Sequence, residues 1–255
     1  MNNSPIDIDK LIEGTNEILT ANRNSLQLFD MLHSMRQFDD LTYVHSVNVA
    51  LIASILGQWL KFSEKDIRIL TISGLLHDIG KIMIPNEILT KPGKLTVAEY
   101  NIMKQHVNFG YEKVKNQNID IRIKEACLLH HEKCDGTGDP FGLKSDHIPA
   151  VAKIIAIADV YDAMTSARVY RGALCPFEVI DTMYKDAFTK FEPEYILPFL
   201  KNVASSYINN DVRLSDGRIG KVVLINENAL SLPIVQCEDE FIDLSLIHIS
   251  EPTRH

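Results

Sequence analysis

Residues 74–81 read Gly74-Leu75-Leu76-His77-Asp78-Ile79-Gly80-Lys81, and this stretch decides how the chain is interpreted. Apolar residues lead into an adjacent histidine and aspartate, and a lysine follows. Neighbouring residues on a helix point roughly 100° apart, so His77 and Asp78 can approach one metal centre from slightly different directions. Lys81 is four residues after His77 and therefore shares its helix face.

Further imidazole and carboxylate groups occur at the ends or on the faces of other predicted helices. With His77 and Asp78, the predicted metal ligands are His45, His106, His130, His131 and Asp159. Nitrogen and oxygen donors without thiolate suit iron, manganese or zinc and argue against a structural zinc site. Seven ligands are too many for one catalytic ion with an open position. We therefore expect two divalent ions, roughly 3.5–4 Å apart, that share a bridging carboxylate.

Such a centre predicts hydrolysis of a phosphate ester. Two cations lower the pKa of a bridging water and clamp the phosphoryl oxygens, while Lys81 stabilises charge on the phosphate or assists the leaving oxygen. A single histidine on an apolar helix is more often a hydrogen-bonded core residue, so the prediction depends on the whole set. His33, His147 and His248 fit no pattern and are interpreted as surface or structural residues.

The spacing of apolar residues is helical through most of the first two hundred positions, which predicts a mainly α fold. Pro85, Pro92 and Gly93 interrupt the pattern, and residues 132–149 are rich in Gly, Asp and Pro, which indicates a loop. The helices are predicted at residues 6–35, 44–60, 64–77, 97–115, 121–131, 150–166, 176–190 and 194–208.

The character of the sequence changes after Asn210. Residues 212–214, 220–225 and 234–237 are predicted strands of a small β-rich appendage. The final residues, LSLIHISEPTRH at 244–255, resemble a translated sequencing-library adapter, so we predict a non-native tail. A genuine C-terminal strand is the alternative.

Composition narrows the class of protein. The chain has 255 residues, 45% hydrophobic and 24% charged, which is typical of a globular domain. Its net charge of -8 argues against binding of polymeric nucleic acid. The four cysteines have no C-x-x-C spacing, and we find no secretory signal or membrane-spanning run. These features predict a cytoplasmic protein that does not bind a membrane.

Four segments together resemble HD-GYP domains, a branch of the HD phosphohydrolase superfamily. The order and spacing of these segments carry the resemblance, which covers about residues 38–199. The segments are residues 43–49 (YVHSVNV), 74–81 (GLLHDIGK), 130–140 (HHEKCDGTGDP) and 155–171 (IAIADVYDAMTSARVYR).

The resemblance implies an HD-domain helical bundle that hydrolyses cyclic di-GMP to linear pGpG or GMP. It implies metal-ligand roles for the seven residues above, with Asp78 as bridge, and a catalytic role for Lys81. Iron or manganese is the leading expectation, with zinc, nickel or cobalt as alternatives. Arg168 and Arg171 fall where the family places phosphate-contacting residues, and a guanidinium fork matches two phosphate oxygens. The alternative for both arginines is a helix-end or solvent role.

Three positions depart from the family pattern. The Gly-Tyr-Pro sequence reads Gly138-Asp139-Pro140, which puts a negative charge among the predicted substrate-binding residues. Leu41 stands where some members carry a glutamate for a third metal, so a binuclear site is expected. Cys134 replaces a residue that is often aromatic, which we interpret as a packing change.

The predicted organisation is a helical segment at 1–37, an HD-GYP domain at 38–208, the appendage at 209–243 and the tail at 244–255. Asp139 leaves open another cyclic dinucleotide as substrate. A catalytically silent binding or signalling module is a further alternative, although all proposed ligands are present. The N-terminal helix at 6–35 leaves open a homodimer or an upstream regulatory protein.

Overall fold

The computed structural model describes residues 41–166, 174–242, 244 and 249–252. It divides into two compact units, residues 1–162 and 163–255. The predicted N-terminal segment and the helix at 6–35 lie outside the described residues. The predicted domain boundaries after residues 37, 208 and 243 remain predictions.

The first unit is built from helices that surround a core of aliphatic side chains. The helix α2 packs on α1 and on α6. The helix α5 packs on α6 and on a short 3-10 helix that follows Asp78. The elements are α1 (Leu41–Trp59), α2 (Glu64–Leu76), the 3-10 helix (Ile79–Met83), α3 (Asn86–Leu89), α4 (Val97–Met103), α5 (His106–Val114), α6 (Ile121–Leu129), a second 3-10 helix (Ser145–His147) and α7 (Ala150–Thr165).

Local sequence signals fix several helix starts. The Ser63 hydroxyl accepts the backbone N–H of Asp66 at 3.2 Å and begins α2 where the sequence predicts. Thr96 and Glu99 form a full capping box at the start of α4. The mainly α prediction is confirmed. The predicted helices agree in position with the described ones, except that the helix at 97–115 is divided, the helix at 176–190 ends at Asp186 and α3 was not predicted.

The predicted continuous helix at 97–115 is wrong in one respect, because the chain turns at Lys104 and Gln105 between α4 and α5. The His106 ring donates Nδ1–H to the Met103 carbonyl at 2.8 Å. This side-chain bond occupies a carbonyl at the end of α4, and the turn makes His106 the first residue of α5.

Two glycines allow the close packing that positions residues 77–81. A Cβ atom on Gly74 would lie 2.5 Å from Ala50 Cα, so only glycine lets α2 cross α1 at this distance. A Cβ atom on Gly80 would lie 1.9 Å from the His106 carbonyl oxygen. Any larger residue at position 80 would push the 3-10 helix away from α5.

The second unit contains two helices and an antiparallel sheet. The helices are α8 (Pro176–Asp186) and α9 (Pro193–Ser205), and the strands are β1 (Asp211–Leu214), β2 (Ile219–Leu224), β3 (Ile234–Cys237), β4 (Glu240–Ile242) and β5 (Ile249–Pro252). The strand order is β4-β3-β2-β1-β5. The aromatic rings of Phe177 and Tyr207 pack with centroids 5.2 Å apart inside this unit.

The three predicted strands are confirmed to within one residue at each end, whereas β4 and β5 were not predicted. Strand β5 falls in the predicted non-native tail and pairs antiparallel with β1. Such pairing agrees with the alternative of a C-terminal strand, and the origin of the tail stays a prediction. Among the described residues, no helix combines the length and hydropathy that crossing a bilayer requires.

Candidate metal centre

Asp78 lies at the centre of the histidine cluster, and its two carboxylate oxygens face different imidazoles. Oδ2 is 3.5 Å from His45 Nε2 and 3.3 Å from His77 Nε2. Oδ1 is 3.3 Å from His106 Nε2 and 3.9 Å from His130 Nε2. One buried carboxylate therefore separates the ligand groups into two sets.

The first set, which we call the carboxylate side, consists of His45, His77 and Asp159. His45 lies in α1, His77 directly follows α2, and Asp159 lies in α7. Asp159 Oδ1 is 3.1 Å from His45 Nε2. The His45 and His77 rings meet edge to face, with centroids 5.3 Å apart.

The second set, the imidazole side, consists of His106, His130 and His131. His106 begins α5, and the adjacent His130 and His131 directly follow α6. The His106 and His130 Nε2 atoms are 3.5 Å apart, and the centroid of the His131 ring is 5.1 Å from that of His106. All seven predicted ligands thus come together in the first unit.

Backbone carbonyls orient three of the imidazoles. His77 donates Nδ1–H to Gly74 O at 2.7 Å, and His130 donates Nδ1–H to Ala126 O at 3.0 Å. His106 does the same toward Met103. Because a carbonyl only accepts, each Nδ1 carries the donated proton, and Nε2 is the ring nitrogen that faces Asp78. Metal-binding histidines are commonly held in this way.

Asp162 performs the corresponding task for His45, and the sequence interpretation gave it no role. Its Oδ2 lies 2.7 Å from His45 Nδ1, and its Oδ1 accepts Asn48 Nδ2–H at 2.9 Å. Both Asp162 and Asn48 are buried. The signal for this role was the three-residue spacing from Asp159, which puts both carboxylates on one face of α7.

The same residue type has opposite electrostatic environments on the two sides. Burial disfavours the charged form of His45, but hydrogen bonds to Asp159 and Asp162 outweigh it and raise its pKa to about 10. Burial lowers the pKa of His106 to about 4. Burial also lowers the pKa of His130 and His131, and neighbouring imidazoles add to the effect on His130.

Both aspartates of the cluster stay ionised despite their burial. Burial raises the pKa of Asp78, but the charges of His77 and Lys81 outweigh it and hold the pKa well below its usual range. Burial acts in the same direction on Asp159, and the hydrogen bond and charge of His45 overcome it. The Lys81 ammonium forms an ion pair with Asp78 Oδ2. The predicted catalytic pair is therefore in contact.

The residues present fit a divalent metal. His77 Nε2 and Asp78 Oδ1 are buried without a hydrogen-bond partner among the described residues, which is costly unless another group satisfies them. The ligand atoms of His45, His77 and Asp78 lie within 4.8 Å of one another, and so do those of His106, His130 and His131. The ligand atoms of His77, His130 and Asp159 form a third such group, which shares one histidine with each of the other two. Imidazole nitrogen and carboxylate oxygen suit first-row divalent ions.

The structure describes one of the three predicted substrate-binding residues. Asp139 lies beside the cluster, because its backbone N–H donates to the His131 carbonyl at 3.2 Å. Arg168 and Arg171 lie outside the described residues, so their roles stay predictions. His147 is exposed and pairs with Asp146, which agrees with a surface role. His33, His248 and the side chain of Leu41 also lie outside the described residues.

The fold and the site together define a helical domain with an adjacent His–Asp pair at its centre. A family model described as HD domain matches residues 13–195, more than half of the 255-residue chain. The chain belongs to the HD domain family, and its curated relatives place it in the HD-GYP branch.

Among those relatives, a cyclic di-GMP phosphodiesterase of Pseudomonas aeruginosa is 36% identical over 203 residues, which cover 79% of this chain and 49% of that protein. A cyclic di-GMP phosphodiesterase response regulator of Xanthomonas campestris is 35% identical and matches over 76% of this chain and 52% of its own length. A 3′3′-cGAMP-specific phosphodiesterase of Vibrio cholerae is 36% identical and matches over 67% of this chain and 38% of its own length. The chain spans about half the length, or less, of the relatives that it matches.

A solved structure supports the fold. An HDG"Y"P protein of Bdellovibrio bacteriovorus superposes with a TM-score of 0.54 at 23% identity, covering 64% of this chain and 52% of that one. At this level of identity the similarity concerns the fold alone.

Proposed function

We propose that this chain is a metal-dependent phosphodiesterase that hydrolyses a cyclic dinucleotide, with cyclic di-GMP as the leading substrate and linear pGpG or GMP as product. The observation that carries the proposal is the buried Asp78, whose two oxygens face separate groups of imidazoles. Curated relatives named as cyclic di-GMP phosphodiesterases support the substrate class.

Asp78 is the proposed bridge between two cations. One oxygen faces His45 and His77, and the other faces His106 and His130. His131 and Asp159 would complete the two ligand sets. When bound, two divalent ions such as iron or manganese would supply an activated water and neutralise charge on the phosphoryl oxygens.

The chain's own residues prepare the site for this reaction. Backbone carbonyls and Asp162 fix four of the five imidazoles, so the Nε2 atoms of these four need no reorientation on binding. Burial of Asp78 and His77 excludes bulk water and strengthens the electrostatic interactions at the reacting phosphate. In the hydrolysis, a water oxygen bonds to phosphorus, and the bond from phosphorus to the ribose oxygen breaks.

Lys81 is the proposed catalytic cation. Its side chain is 24% exposed, while its partner Asp78 is 2% exposed, so the ammonium lies at the boundary between the buried cluster and solvent. From there its N–H groups are placed to stabilise the transition-state phosphate or to donate to the leaving oxygen. Arg168 and Arg171 are proposed to bind a phosphate group of the substrate.

A second substrate has specific support. Curated relatives include 3′3′-cGAMP-specific phosphodiesterases, and Asp139 stands where the family motif has tyrosine. Hydrolysis of a mixed guanine–adenine dinucleotide is therefore the second candidate.

The test couples metal analysis of anaerobically purified protein to hydrolysis of a cyclic dinucleotide panel. Asp78→Asn keeps the shape of the side chain but removes its charge, so we expect loss of bound metal and of turnover with an unchanged helical circular dichroism spectrum. Lys81→Met should reduce kcat by about 10²–10³-fold while metal content is kept.

Lys185→Met is the matched control, because Lys185 is 72% exposed and pairs with Asp181 four residues away. It should behave as the unmodified protein. Full metal content and turnover in Asp78→Asn would overturn the proposal. Binding of cyclic di-GMP without cleavage by the metal-loaded protein would favour a signalling module instead.

A further inference from the structure

The loop that follows His130 and His131 is held by hydrogen bonds to the side chain of its own first residue, Glu132. The Glu132 carboxylate is buried and accepts the backbone N–H of Phe141 at 2.7 Å and that of Leu143 at 2.8 Å. A Cβ atom on Gly138 would lie 2.4 Å from Glu132 Cα, so the loop folds tightly against its own start. Residues on both sides of Asp139 are thereby fixed.

This loop holds Asp139 at the rim of the metal cluster. Its backbone N–H donates to the carbonyl oxygen of His131, a predicted ligand. Its side chain is 44% exposed, so the carboxylate is open to a molecule that enters the cluster from solvent. Because its backbone bonds a predicted ligand and its carboxylate is exposed, Asp139 is a candidate for contact with a part of the substrate that extends outward from the reacting phosphate.

Lys104 compensates the charge of Asp139. Its Nζ lies 3.1 Å from Asp139 Oδ1 and 5.3 Å from the centroid of the Tyr100 ring. Lys104 is also close to the cluster in sequence, two residues before His106. The ion pair reduces the repulsion that a carboxylate would exert on a phosphate, and none of the described residues bonds Oδ2.

The Asp139 carboxylate can distinguish nucleobases by the hydrogen-bonding groups on their edges. An ionised carboxylate accepts hydrogen bonds and donates none. The Watson–Crick edge of guanine presents two adjacent donors, N1–H and the 2-amino group. Adenine presents one donor, the 6-amino group, beside an acceptor at N1 that would repel the carboxylate. A site built to accept hydrogen bonds strongly rejects an analogue that lacks the donors.

We propose that Asp139, neutralised by Lys104 and held by Glu132, is a specificity-determining residue that accepts hydrogen bonds from the Watson–Crick edge of a guanine base. The inference rests on the proposed function, since it names the base that the phosphodiesterase site prefers. According to this inference, the aspartate in the Gly-Asp-Pro sequence contributes favourably to substrate binding.

The first test measures binding of mononucleotides, which contain no phosphodiester bond for the site to cut. Titration calorimetry of the metal-loaded full chain should give a Kd for GMP at least about tenfold lower than that for AMP, because charge-assisted hydrogen bonds are lost with adenine. Asp139→Asn should remove most of this difference by weakening GMP binding. Lys104→Gln should weaken both nucleotides while the preference for GMP remains.

Asp146→Asn is the matched control, because it removes the same charge from an exposed aspartate of the same connecting segment, which pairs with His147. It should keep the full preference. Equal binding of GMP and AMP by the unmodified chain, absence of binding by both, or a preference that survives Asp139→Asn would each overturn the inference.

The second test measures hydrolysis and separates this inference from the proposed function. Cyclic di-GMP should have a higher kcat/KM than cyclic di-AMP, and Asp139→Asn should reduce this ratio by about tenfold or more. Failure to cleave any cyclic dinucleotide would contradict the proposed function, while the GMP and AMP affinities would still decide the inference. An equal loss for both substrates would contradict the role of Asp139 in base selection.

Discussion

The two sides of the cluster shift the pKa of a histidine in opposite directions, upward for His45 and downward for His106. On the carboxylate side, two carboxylates within hydrogen-bond distance raise the pKa of His45 to about 10. On the imidazole side, burial lowers the pKa of His106 to about 4. The partners of each ring therefore decide its charge, and a histidine count alone does not.

This difference has a consequence for metal loading. A histidine must be unprotonated at the ligating nitrogen, so loading of the carboxylate side displaces a proton from His45 Nε2. On the imidazole side, burial lowers the pKa of all three histidines, so a metal ion would displace fewer protons there. We infer that the two proposed ions differ in the pH dependence of their binding.

The largest expected effect comes from removing one side at a time. His45→Ala and His106→Ala should each reduce metal content from two ions to one per chain and abolish turnover, because in-line hydrolysis uses both ions. Metal content by plasma mass spectrometry and a cyclic di-GMP assay measure this. His147→Ala, an exposed histidine outside the cluster, is the control. Retention of both ions in either variant would contradict the assignment of one ion to each side.

A smaller effect is expected from the residue that orients His45. Asp162→Asn should lower metal affinity on the carboxylate side by about 10- to 100-fold, because it weakens the hydrogen bond that fixes the ring. The imidazole side should keep its affinity. Competition with a chelator of known affinity would resolve the two binding steps, and an equal loss in both would contradict a local positioning role.

The smallest effects concern the metal-free protein and its pH dependence. The folded-state pKa of His45 lies above the unfolded value of 6.5, so its contribution to the free energy of unfolding is present below pH 6.5 and is lost as pH rises toward about 10. The pKa of His106 lies below 6.5, so its contribution is present above that pH and is lost as pH falls toward about 4. NMR titration of the histidine ring protons measures both, and a common midpoint near 6.5 would contradict the contrast.

Much of the fold could be predicted because local signals are strong in this chain. Ser63, Thr96 and the proline interruptions mark helix boundaries, and the alternation after Asn210 marks strands. The break at Lys104 and Gln105 could not be predicted, since neither residue is a helix breaker. The His106 side chain bonds the Met103 carbonyl at this break. Strand β4 is three residues long, which is too short for a periodicity to be detected.

The candidate site was predictable to the extent that its residues form motifs. His77-Asp78, His130-His131 and Asp159 could be found by type and spacing. Asp162 was not identified as a positioning residue, because an aspartate three residues after another resembles a charged helix surface. Its role depends on Asn48 and His45, which are more than 100 residues away along the chain.

The sequence by itself determined which donor groups this protein has, that helices carry them, and where most of the described helices begin, because these properties depend on residue type and short-range periodicity. Only the tertiary structure decided that the two oxygens of Asp78 face different imidazoles, that His45 and His106 differ in charge, and that Lys104 neutralises Asp139. Hydrogen bonds and Coulomb interactions act over a few ångströms between residues far apart in the chain. Those distances exist only once the helices have packed.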